Sequence, residues 1–482
     1  MKIFLSKCWK SFTHDLDSKT ILIISILALS DLFVFSGVLY LRYIIPNFNQ
    51  YINLNQDEFD FVVAIYGFVA LISRIPGGWL TDRFSAKKIM IVSLIITGLC
   101  GLWWTLIIQL NMDKNIRMIQ LYIIYTIWGI SIAGLFWAPL WKLVSQNVTK
   151  EQQGVAYGLE GTVLGLFGLI FIAGIATGIT ILTKNLQNQY GQNDFITKIP
   201  FLVFAYFICG MVFIMALLVW IFIPNKKREE TEIIWKEKII SLFQPMKFLR
   251  VWLCGIFVFG MYMFQSTFAY YMKDALTEVG VTVGVVTILG GIRSYGLRFL
   301  VASPIGRWAD KWKSYVLGLI FLLLVGMIAC SLYVVIPGWG NAWFLQSSKA
   351  VQVLFQVIMC LLFMFIGCVG WALLTLRFVQ VGELPMEKNS YASTISLISW
   401  IAFTPDAWFN YVASAIGKLP NNSYVVDGHQ NYSLQGIQIL LIIAIVCVLV
   451  GLIAGIIIYI LNKRELKKLN KTSFRFRELG NV

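Results

Sequence analysis

Five ionisable side chains lie inside long apolar stretches of this 482-residue chain, where a charge is costly and usually functional. They are Asp31, Arg74, Arg293, Arg298 and Asp406. An Arg keeps its proton in almost any environment, whereas a buried Asp loses its charge by protonation. A cavity lined by these groups is therefore neutral or positive, and the planar guanidinium fork suits an oxyanion such as a carboxylate or a phosphate.

Each of these residues has a predicted role. We expect Arg74 and Arg298 to bind an anionic substrate. Arg293 is a third candidate, although five residues of helix turn it about 140° away from Arg298. Asp31 is the candidate proton carrier, and Asp406, which follows a Pro, is either a second proton site or the cap of a helix break. The alternative is internal ion pairing, for example of Asp31 with Arg298, which would hold helices together without contacting substrate.

Composition predicts the elements that position these residues. Hydrophobic residues make up 58% of the chain and charged residues 13%, and the mean hydropathy is +0.76, which excludes a soluble domain of this length. A helix needs about 20 apolar residues to cross the hydrocarbon core. Such windows predict twelve transmembrane helices, called spans 1 to 12. They cover residues 20–44, 59–81, 89–109, 119–145, 155–182, 199–223, 250–272, 281–306, 314–336, 351–376, 391–417 and 435–461.

The distribution of basic residues predicts the orientation of the chain. Of the 39 Lys and Arg residues, 28 lie on the side of the membrane that holds both termini and 7 lie on the opposite side, when bases at span ends are counted with the nearer side. The other four lie inside the spans. This bias places both termini in the cytoplasm. The net charge of +15 comes mainly from residues 226–250 and 463–477, where bases set orientation and contact anionic headgroups. We therefore expect the lipid bilayer, and no nucleic acid, as a partner.

A short pattern follows span 2 and recurs after span 8: a Gly, an Asp four residues later, and then a base. The residues are Gly78, Asp82 and Arg83 in the first copy, and Gly306, Asp310 and Lys311 in the second. Both copies predict gating. We expect Gly78 to let a neighbouring helix approach closely, and Asp82 to accept from a facing helix N-terminus. Arg83 and Lys87 would pair with an acid near the inner face, for which Glu160 is the candidate. The alternative is that these bases only set the topology.

Six spans on either side of a charged linker, with this turn in each half, resemble the major facilitator superfamily over nearly the whole chain. The resemblance implies an all-α membrane protein of two pseudo-symmetric six-helix bundles, residues 1–224 and 250–482, joined by linker 225–249. The second bundle ends in a basic cytoplasmic tail. Arg74, four residues before the first turn, and Arg298 resemble the paired Arg residues of the nitrate/nitrite porter and organic-anion branches. Span 5 lacks the Asn that nitrate porters carry, so nitrate itself is not expected.

The resemblance also implies alternating access around a central site lined by spans 1, 4, 7 and 10. This adds Trp137, Tyr262, Gln265 and Trp371 as candidate substrate contacts. We expect a monomeric secondary transporter of a small organic or inorganic anion in the inner cell membrane, without a cofactor or metal. Proton coupling is one way to power it, and a gradient-free carrier is the alternative.

Other functions are weighed against anion transport. A carrier of a neutral or zwitterionic metabolite, a drug-efflux carrier, and a sensor or receptor on a transporter scaffold stay open as alternatives. An enzyme is not expected, because the chain contains no H-E-x-x-H, no G-x-S-x-G and no phosphate-binding loop. Nothing in the sequence names the substrate or the direction of transport.

Overall fold

The structure is a computed structural model, and it describes residues 16–110, 112–148, 153–190, 194–225, 244–309, 311–341, 344, 346–384, 391–426 and 429–468. Within these residues, ten helices are long and apolar enough to cross a membrane. Spans 2 and 11 complete the predicted set of twelve. Span 2 is one long helix with several charged residues, Gln56–Arg83, and span 11 consists of two shorter helices, Tyr391–Ala402 and Pro405–Gly417. The predicted all-α membrane architecture is confirmed.

The other helices of the first half follow the predicted spans closely. They are Ser18–Phe35 and Leu41–Ile44 in span 1, the short connecting helix Phe48–Tyr51, Ala86–Gln109 in span 3, Lys114–Trp128 and Trp137–Gln146 in span 4, Gln153–Phe167 and Ile175–Tyr190 in span 5, and Asp194–Phe222 in span 6.

The helices of the second half also follow the predicted spans, and one pair of strands, which the sequence did not predict, lies among them. The helices are Leu249–Ser266 and Phe268–Glu278 in span 7, Val283–Gly291 and Leu297–Ala309 in span 8, Tyr315–Val335 in span 9, Lys349–Leu376 in span 10, and Leu434–Lys468 in span 12. Short 3₁₀ turns occur at Gln244–Lys247, Trp339–Asn341 and Val379–Glu383. Strands Ser423–Val426 and His429–Tyr432 pair with each other before span 12.

Polar side chains begin several of these helices by accepting from the first free backbone N–H groups. Asn55 and Glu58 form a capping box at the start of span 2, in which the Asn55 N–H donates to Glu58 Oε2 over 3.0 Å. Asp17 accepts from the Thr20 N–H, at 3.3 Å, before span 1. This hydrogen bond lowers the pKa of Asp17 below its ordinary value. The chain therefore stops and restarts its helices at local signals that the sequence contains.

The described residues fall into two compact units. The first comprises Met1–Arg228, Thr282–Phe299 and Val425–Asn431, so it contains the larger, first part of span 8 together with spans 1 to 6. The second comprises Glu229–Val281, Leu300–Tyr424 and Tyr432–Val482. The first unit is therefore not a simple N-terminal half. The division into 1–224, 225–249 and 250–482 stays a prediction, and residues 226–243 lie outside the described part of the chain.

Four helices of the first unit contain π-helical turns, in which an extra residue widens the helix. These turns are Ser36–Tyr40 in span 1, Gly129–Phe136 in span 4, Gly168–Gly174 in span 5 and Ile292–Gly296 in span 8. Such turns change the direction of the side chains that follow and are frequent at functional sites. Sequence periodicity did not predict them.

Within the first unit, span 1 packs on span 5, span 2 on the π-helical turn of span 4, and span 3 on span 6. The contact of spans 2 and 4 corrects one expectation. A Cβ added at Gly77 would overlap the Gly134 carbonyl, whereas one at Gly78 meets no described atom within 4 Å. The close approach therefore depends on Gly77, which faces span 4, and not on Gly78, which is turned about 100° away on the helix.

Within the second unit, span 7 packs on spans 11 and 12. Spans 7 and 12 cross almost backbone to backbone, since a Cβ at Gly260 would lie 2.9 Å from the Gly451 Cα. Small residues allow such close crossings between membrane helices. Span 11 breaks between Ala402 and Pro405, as expected because a Pro has no backbone N–H with which to continue the hydrogen bonds of the helix.

Candidate functional site

A buried ionic cluster lies inside the first unit. Arg298 Nη2 of span 8 is 3.5 Å from Glu160 Oε2 of span 5. The Glu160 side chain is 1% exposed and that of Arg298 is 21% exposed. Asp31 of span 1, 3% exposed, lies within hydrogen-bonding range of the Glu160 carboxyl group and close enough to Arg298 to interact with its charge. Asp31, Glu160 and Arg298 are called the ionic cluster.

The two carboxyl groups of the ionic cluster could hydrogen-bond to each other only with a proton between them. An ionised carboxylate only accepts hydrogen bonds, so a carboxyl–carboxyl hydrogen bond requires that one partner is protonated. Asp31 Oδ1 and Glu160 Oε1 are buried, and no N–H or O–H group in the described part of the chain donates to either. Two adjacent buried carboxyl groups behave as a pair that shares a proton. With one shared proton the pair carries one negative charge, which the Arg298 guanidinium balances.

Glycines of span 5 make room for the span 8 side chains. A Cβ at Gly168 would overlap the Tyr295 ring, and one at Gly165 would lie 3.2 Å from the Tyr295 carbonyl oxygen. At Gly161 an added Cβ would lie 3.8 Å from Arg298 Nε. The glycine spacing of span 5 therefore allows span 8 to approach and brings Arg298 alongside Glu160.

Aromatic side chains surround the ionic cluster. Tyr40 is edge-on to Tyr295, with 6.0 Å between ring centroids, and stacks on Phe35 at 5.7 Å. Phe35 in turn meets Trp137 edge-on at 5.8 Å. These four side chains are called the aromatic row. Tyr40 also lies close enough to Asp31 and Arg298 to interact with their charges. The row and the ionic cluster therefore form one continuous site within the first unit.

The other predicted Arg residues of the first unit lie on separate turns. Arg74 is half-buried in span 2, and its Nε and Nη1 atoms are buried. Arg293 is 3% exposed and lies within the π-helical turn Ile292–Gly296. Arg298 forms an ion pair with Glu160. A shared grip of Arg74 and Arg298 on one anion stays a prediction, as does substrate contact by Arg293.

The second unit contains a different arrangement around Asp406, at the break in span 11. The Tyr262 hydroxyl donates to Asp406 Oδ2 over 2.8 Å, and the Tyr262 ring lies edge-on to Phe403 with centroids 4.6 Å apart. Asp406 occupies the first turn of Pro405–Gly417. Gln265 and Trp371 are half-buried in spans 7 and 10, and their substrate contact stays a prediction.

At the predicted inner face, lysines bind backbone carbonyls. Lys87 Nζ donates to the Trp220 carbonyl over 2.7 Å, and Lys142 Nζ donates to the Thr81 carbonyl over 2.6 Å. Glu160, the acid expected to pair with Arg83 or Lys87, forms an ion pair with Arg298 in the described residues. It lies about two turns inside span 5, on the helix that also carries Gly161 and Gly165, where span 8 approaches. The gating roles of these residues stay predictions.

Some predicted gating residues lie at or beyond the limits of the description. The side chains of Asp82 and Arg83 and the whole of Asp310 lie outside the described residues. Gly306 has no described atom within 4 Å of an added Cβ, and Lys311 is exposed. The second copy of the turn therefore shows no close helix contact at its Gly within the described residues.

Sequence reasoning missed two buried acid sites of the second unit. Lys273 Nζ is fully buried, 2.5 Å from Asp274 Oδ1. Glu383, in the 3₁₀ turn after span 10, is fully buried against the first residues of span 9. Its carboxylate accepts from the Ser314 hydroxyl, at 3.0 Å, and from the Tyr315 N–H. A carboxylate at a helix N-terminus is favourable there. Lys273 and Asp274 are adjacent in sequence and could have been found, whereas the partners of Glu383 are 68 and 69 positions away.

Sequence comparison decides the family. The sequence model described as Major Facilitator Superfamily matches residues 21–404, which is most of the chain. The chain belongs to the Major Facilitator Superfamily. A Mycoplasma pneumoniae relative, "Uncharacterized protein MG294 homolog", is 33% identical over 489 residues, covering 100% of this chain and 99% of the relative. The Escherichia coli "Inner membrane protein YqcE" is 22% identical and covers 83% of this chain and 88% of that protein.

Solved structures agree with this superfamily. A D-xylose–proton symporter matches with a TM-score of 0.60 at 12% identity, covering 91% of this chain and 96% of the other. The nucleoside transporter NupG matches with a TM-score of 0.61 at 12% identity, covering 92% and 99%. At this identity the match shows the shared fold alone. The superfamily member described here is thus a multi-pass membrane transporter rather than an enzyme. Its place in the nitrate/nitrite or organic-anion branch stays a prediction.

Proposed function

We propose that this protein is a secondary transporter of a small anion, and that the anion binds to Arg298 in the first unit. The main support is the Arg298 side chain, which lies within a membrane span, is 21% exposed and forms an ion pair with the buried Glu160 carboxylate. A charge at this depth does not face lipid, so its exposed edge opens to water. An incoming oxyanion replaces Glu160 on Arg298 and gains the paired N–H donors of the guanidinium fork.

Proton coupling follows from this exchange. When an anion takes Arg298, Glu160 loses the positive charge that offsets its own. The Asp31–Glu160 pair then holds a negative charge in a buried place with no counter-charge, and uptake of a second proton removes it. Anion and proton therefore bind together, and loss of the anion returns Glu160 to Arg298 and expels the proton. The carrier works as an anion–proton symporter.

The cellular setting is part of the same proposal. The protein lies in the inner cell membrane as a monomer, with both termini in the cytoplasm, and moves substrate by alternating access. The excess of Lys and Arg on the side of the termini supports the orientation. The names of two Escherichia coli relatives, "Inner membrane protein YqcE" and "Inner membrane protein YihN", support the location.

Ligand-induced thermal stabilisation of the purified full chain tests anion binding. The panel holds acetate, phosphate and gluconate as anions, glucose and glycine as neutral or zwitterionic compounds, and tetraphenylphosphonium as a cation. We expect only anions to raise the melting temperature, and we expect Arg298→Ala to abolish the effect. Arg250→Ala is the matched control, because Arg250 forms an ion pair with Glu465 in the second unit (2.8 Å) and should leave stabilisation intact. Stabilisation of native protein and Arg298→Ala by a neutral or cationic compound would refute the proposal.

Uptake into proteoliposomes tests the coupling. We expect an inward proton gradient to accelerate entry of the stabilising anion, and we expect a protonophore to remove the acceleration. Uptake that is indifferent to the protonophore would leave anion binding intact and refute the symport step.

A further inference from the structure

We infer that the transported anion is organic and carries a ring, which lies on the aromatic row while its charged group binds Arg298. This rests on the proposed function and names the substrate class of the same site. The charged group is a carboxylate or a phosphate ester, either of which fits the guanidinium fork.

The first support is the register of charge and ring on two helices. Along span 1, Phe35 follows Asp31 by four residues, and along span 8, Tyr295 precedes Arg298 by three. Residues three or four apart share one face of a helix, about one 5.4 Å turn from each other. The contact of Tyr40 with both Phe35 and Tyr295 joins the two helices at the level of the rings. A layer of rings therefore lies one turn from the ionic layer.

The second support is the placement of the row by widened helix turns. Tyr40 closes the π-helical turn Ser36–Tyr40, Tyr295 lies within Ile292–Gly296, and Trp137 directly follows Gly129–Phe136. Three separate spans thus use the same local distortion to direct a ring to this site. Core packing alone does not require this, because regular helices bury aromatic side chains equally well. Such turns are instead typical of functional sites.

The third support is incomplete burial. Phe35 and Tyr295 are buried, whereas Tyr40 and Trp137 keep a minor part of their surface exposed, and Arg298 is 21% exposed. The row therefore leaves some aromatic surface uncovered for a ligand. Offset stacking or edge-to-face contact with a ligand ring favours a ringed anion over an inorganic one.

Binding of matched anion pairs to the purified full chain tests this inference. One pair is phenylacetate and acetate, and the other is phenyl phosphate and inorganic phosphate, so each pair differs by one ring. We expect the ringed member to bind about tenfold more tightly. We expect Tyr40→Leu or Trp137→Leu to reduce this advantage below about twofold while the ringless anions bind as before. Tyr40→Phe keeps the ring and should keep most of the advantage.

Trp220→Leu is the control, because Trp220 is 64% exposed and lies outside the row. The outcomes separate the two proposals. If the ringless anions bind through Arg298 but a ring adds less than twofold, or if the row variants weaken both members equally, the ring inference is overturned and the anion site stands. If no member of either pair binds in a way that Arg298→Ala abolishes, the proposed function falls and the ring inference falls with it.

Discussion

The two units surround the acids Glu160 and Asp406 differently. In the first unit, Glu160 is paired with the Arg298 guanidinium and lies near the Asp31 carboxyl group. In the second, Asp406 accepts from the neutral Tyr262 hydroxyl. A charged partner that a ligand displaces changes the protonation of the acids it leaves, whereas a phenol that stays in place changes nothing. Glu160 and Asp406 therefore differ in their partners, a charged guanidinium in the first unit and a neutral phenol in the second, although the second unit also contains the buried Lys273–Asp274 ion pair.

The helices of the two units also differ, in their π-helical turns and in what their glycines contact. The described π-helical turns all lie in the first unit, where they place Tyr40, Tyr295 and Trp137 near the ionic cluster. In the second unit, the described close approach of Gly260 to Gly451 joins two helix backbones and makes no room for a polar side chain. Glycines of span 5, by contrast, accommodate Tyr295 and Arg298. Glycines thus serve a helix crossing in each unit, at Gly77 and Gly134 in the first and at Gly260 and Gly451 in the second, and in the first unit they also make room for Tyr295 and Arg298.

The largest expected effect is at Arg298. Arg298→Ala should weaken anion binding at least 100-fold, because loss of a buried charge-assisted partner costs about 3 kcal/mol or more. Arg298→Lys should recover part of the loss by keeping the charge without the fork. Titration of the purified variants with acetate measures this. If Arg250→Ala in the second unit weakens anion binding as much as Arg298→Ala does, the anion site is not specific to the first unit.

Substitution of the acids tests whether proton coupling depends on the first unit alone. The double variant Asp31→Asn/Glu160→Gln should still bind the anion, but it should lose the acceleration of uptake by a proton gradient at least tenfold, since neither amide takes up a proton. Asp406→Asn should retain the acceleration, because its remaining carbonyl oxygen still accepts from Tyr262. Proteoliposome uptake with and without an inward proton gradient measures both. Equal losses in the two variants would show that the units share the coupling chemistry.

A matched pair of glycines in span 5 tests the packing of the site. Gly168→Ala should destabilise the protein by about 1–3 kcal/mol, because the added methyl group overlaps the Tyr295 ring. Gly178→Ala lies on the same span with no described atom within 4 Å, and it should be neutral or slightly stabilising. Thermal unfolding in one detergent compares them. Identical melting temperatures for the two variants would mean that span 8 does not approach span 5 as described.

The smallest effect is expected at the hydroxyl of Tyr262. Tyr262→Phe removes the donor to Asp406 but keeps the ring on Phe403, so anion uptake should fall less than about threefold, the equivalent of roughly 0.5–1 kcal/mol. Initial uptake rates in proteoliposomes measure it. A tenfold loss would place Asp406 in the transport chemistry and erase the difference between the units.

Much of the fold could be predicted because its signals are local. Hydropathy marks the spans, and a Pro at position 405, which has no backbone N–H, marks the break in span 11, since both depend on neighbouring residues only. The π-helical turns could not be predicted, because one extra residue in a helix leaves the hydropathy unchanged. Gly77 and Gly78 are neighbours, and only the three-dimensional contact with Gly134 shows which of them faces span 4.

The site was harder to predict than the fold. Asp31 and Arg298 stand out in the sequence because charges are rare in apolar segments. Glu160 did not stand out in the same way, because it lies near the predicted inner end of span 5, where bases of the first turn are also close. Its pairing with Arg298 joins positions 138 apart, and such pairings depend on how helices pack. The aromatic row had no signal beyond composition, since membrane helices are rich in aromatic residues.

In the proposed mechanism, an anion takes Arg298 from Glu160, and the acid pair of Asp31 and Glu160 takes up a proton. Calorimetric titration of the purified protein with acetate, in two buffers of different ionisation enthalpy at one pH, counts the protons taken up per anion bound. We expect close to one proton for the native protein, none for Asp31→Asn/Glu160→Gln, and an anion affinity that rises as the pH falls. Anion binding without proton uptake in the native protein, or equal uptake in the double variant, would contradict it.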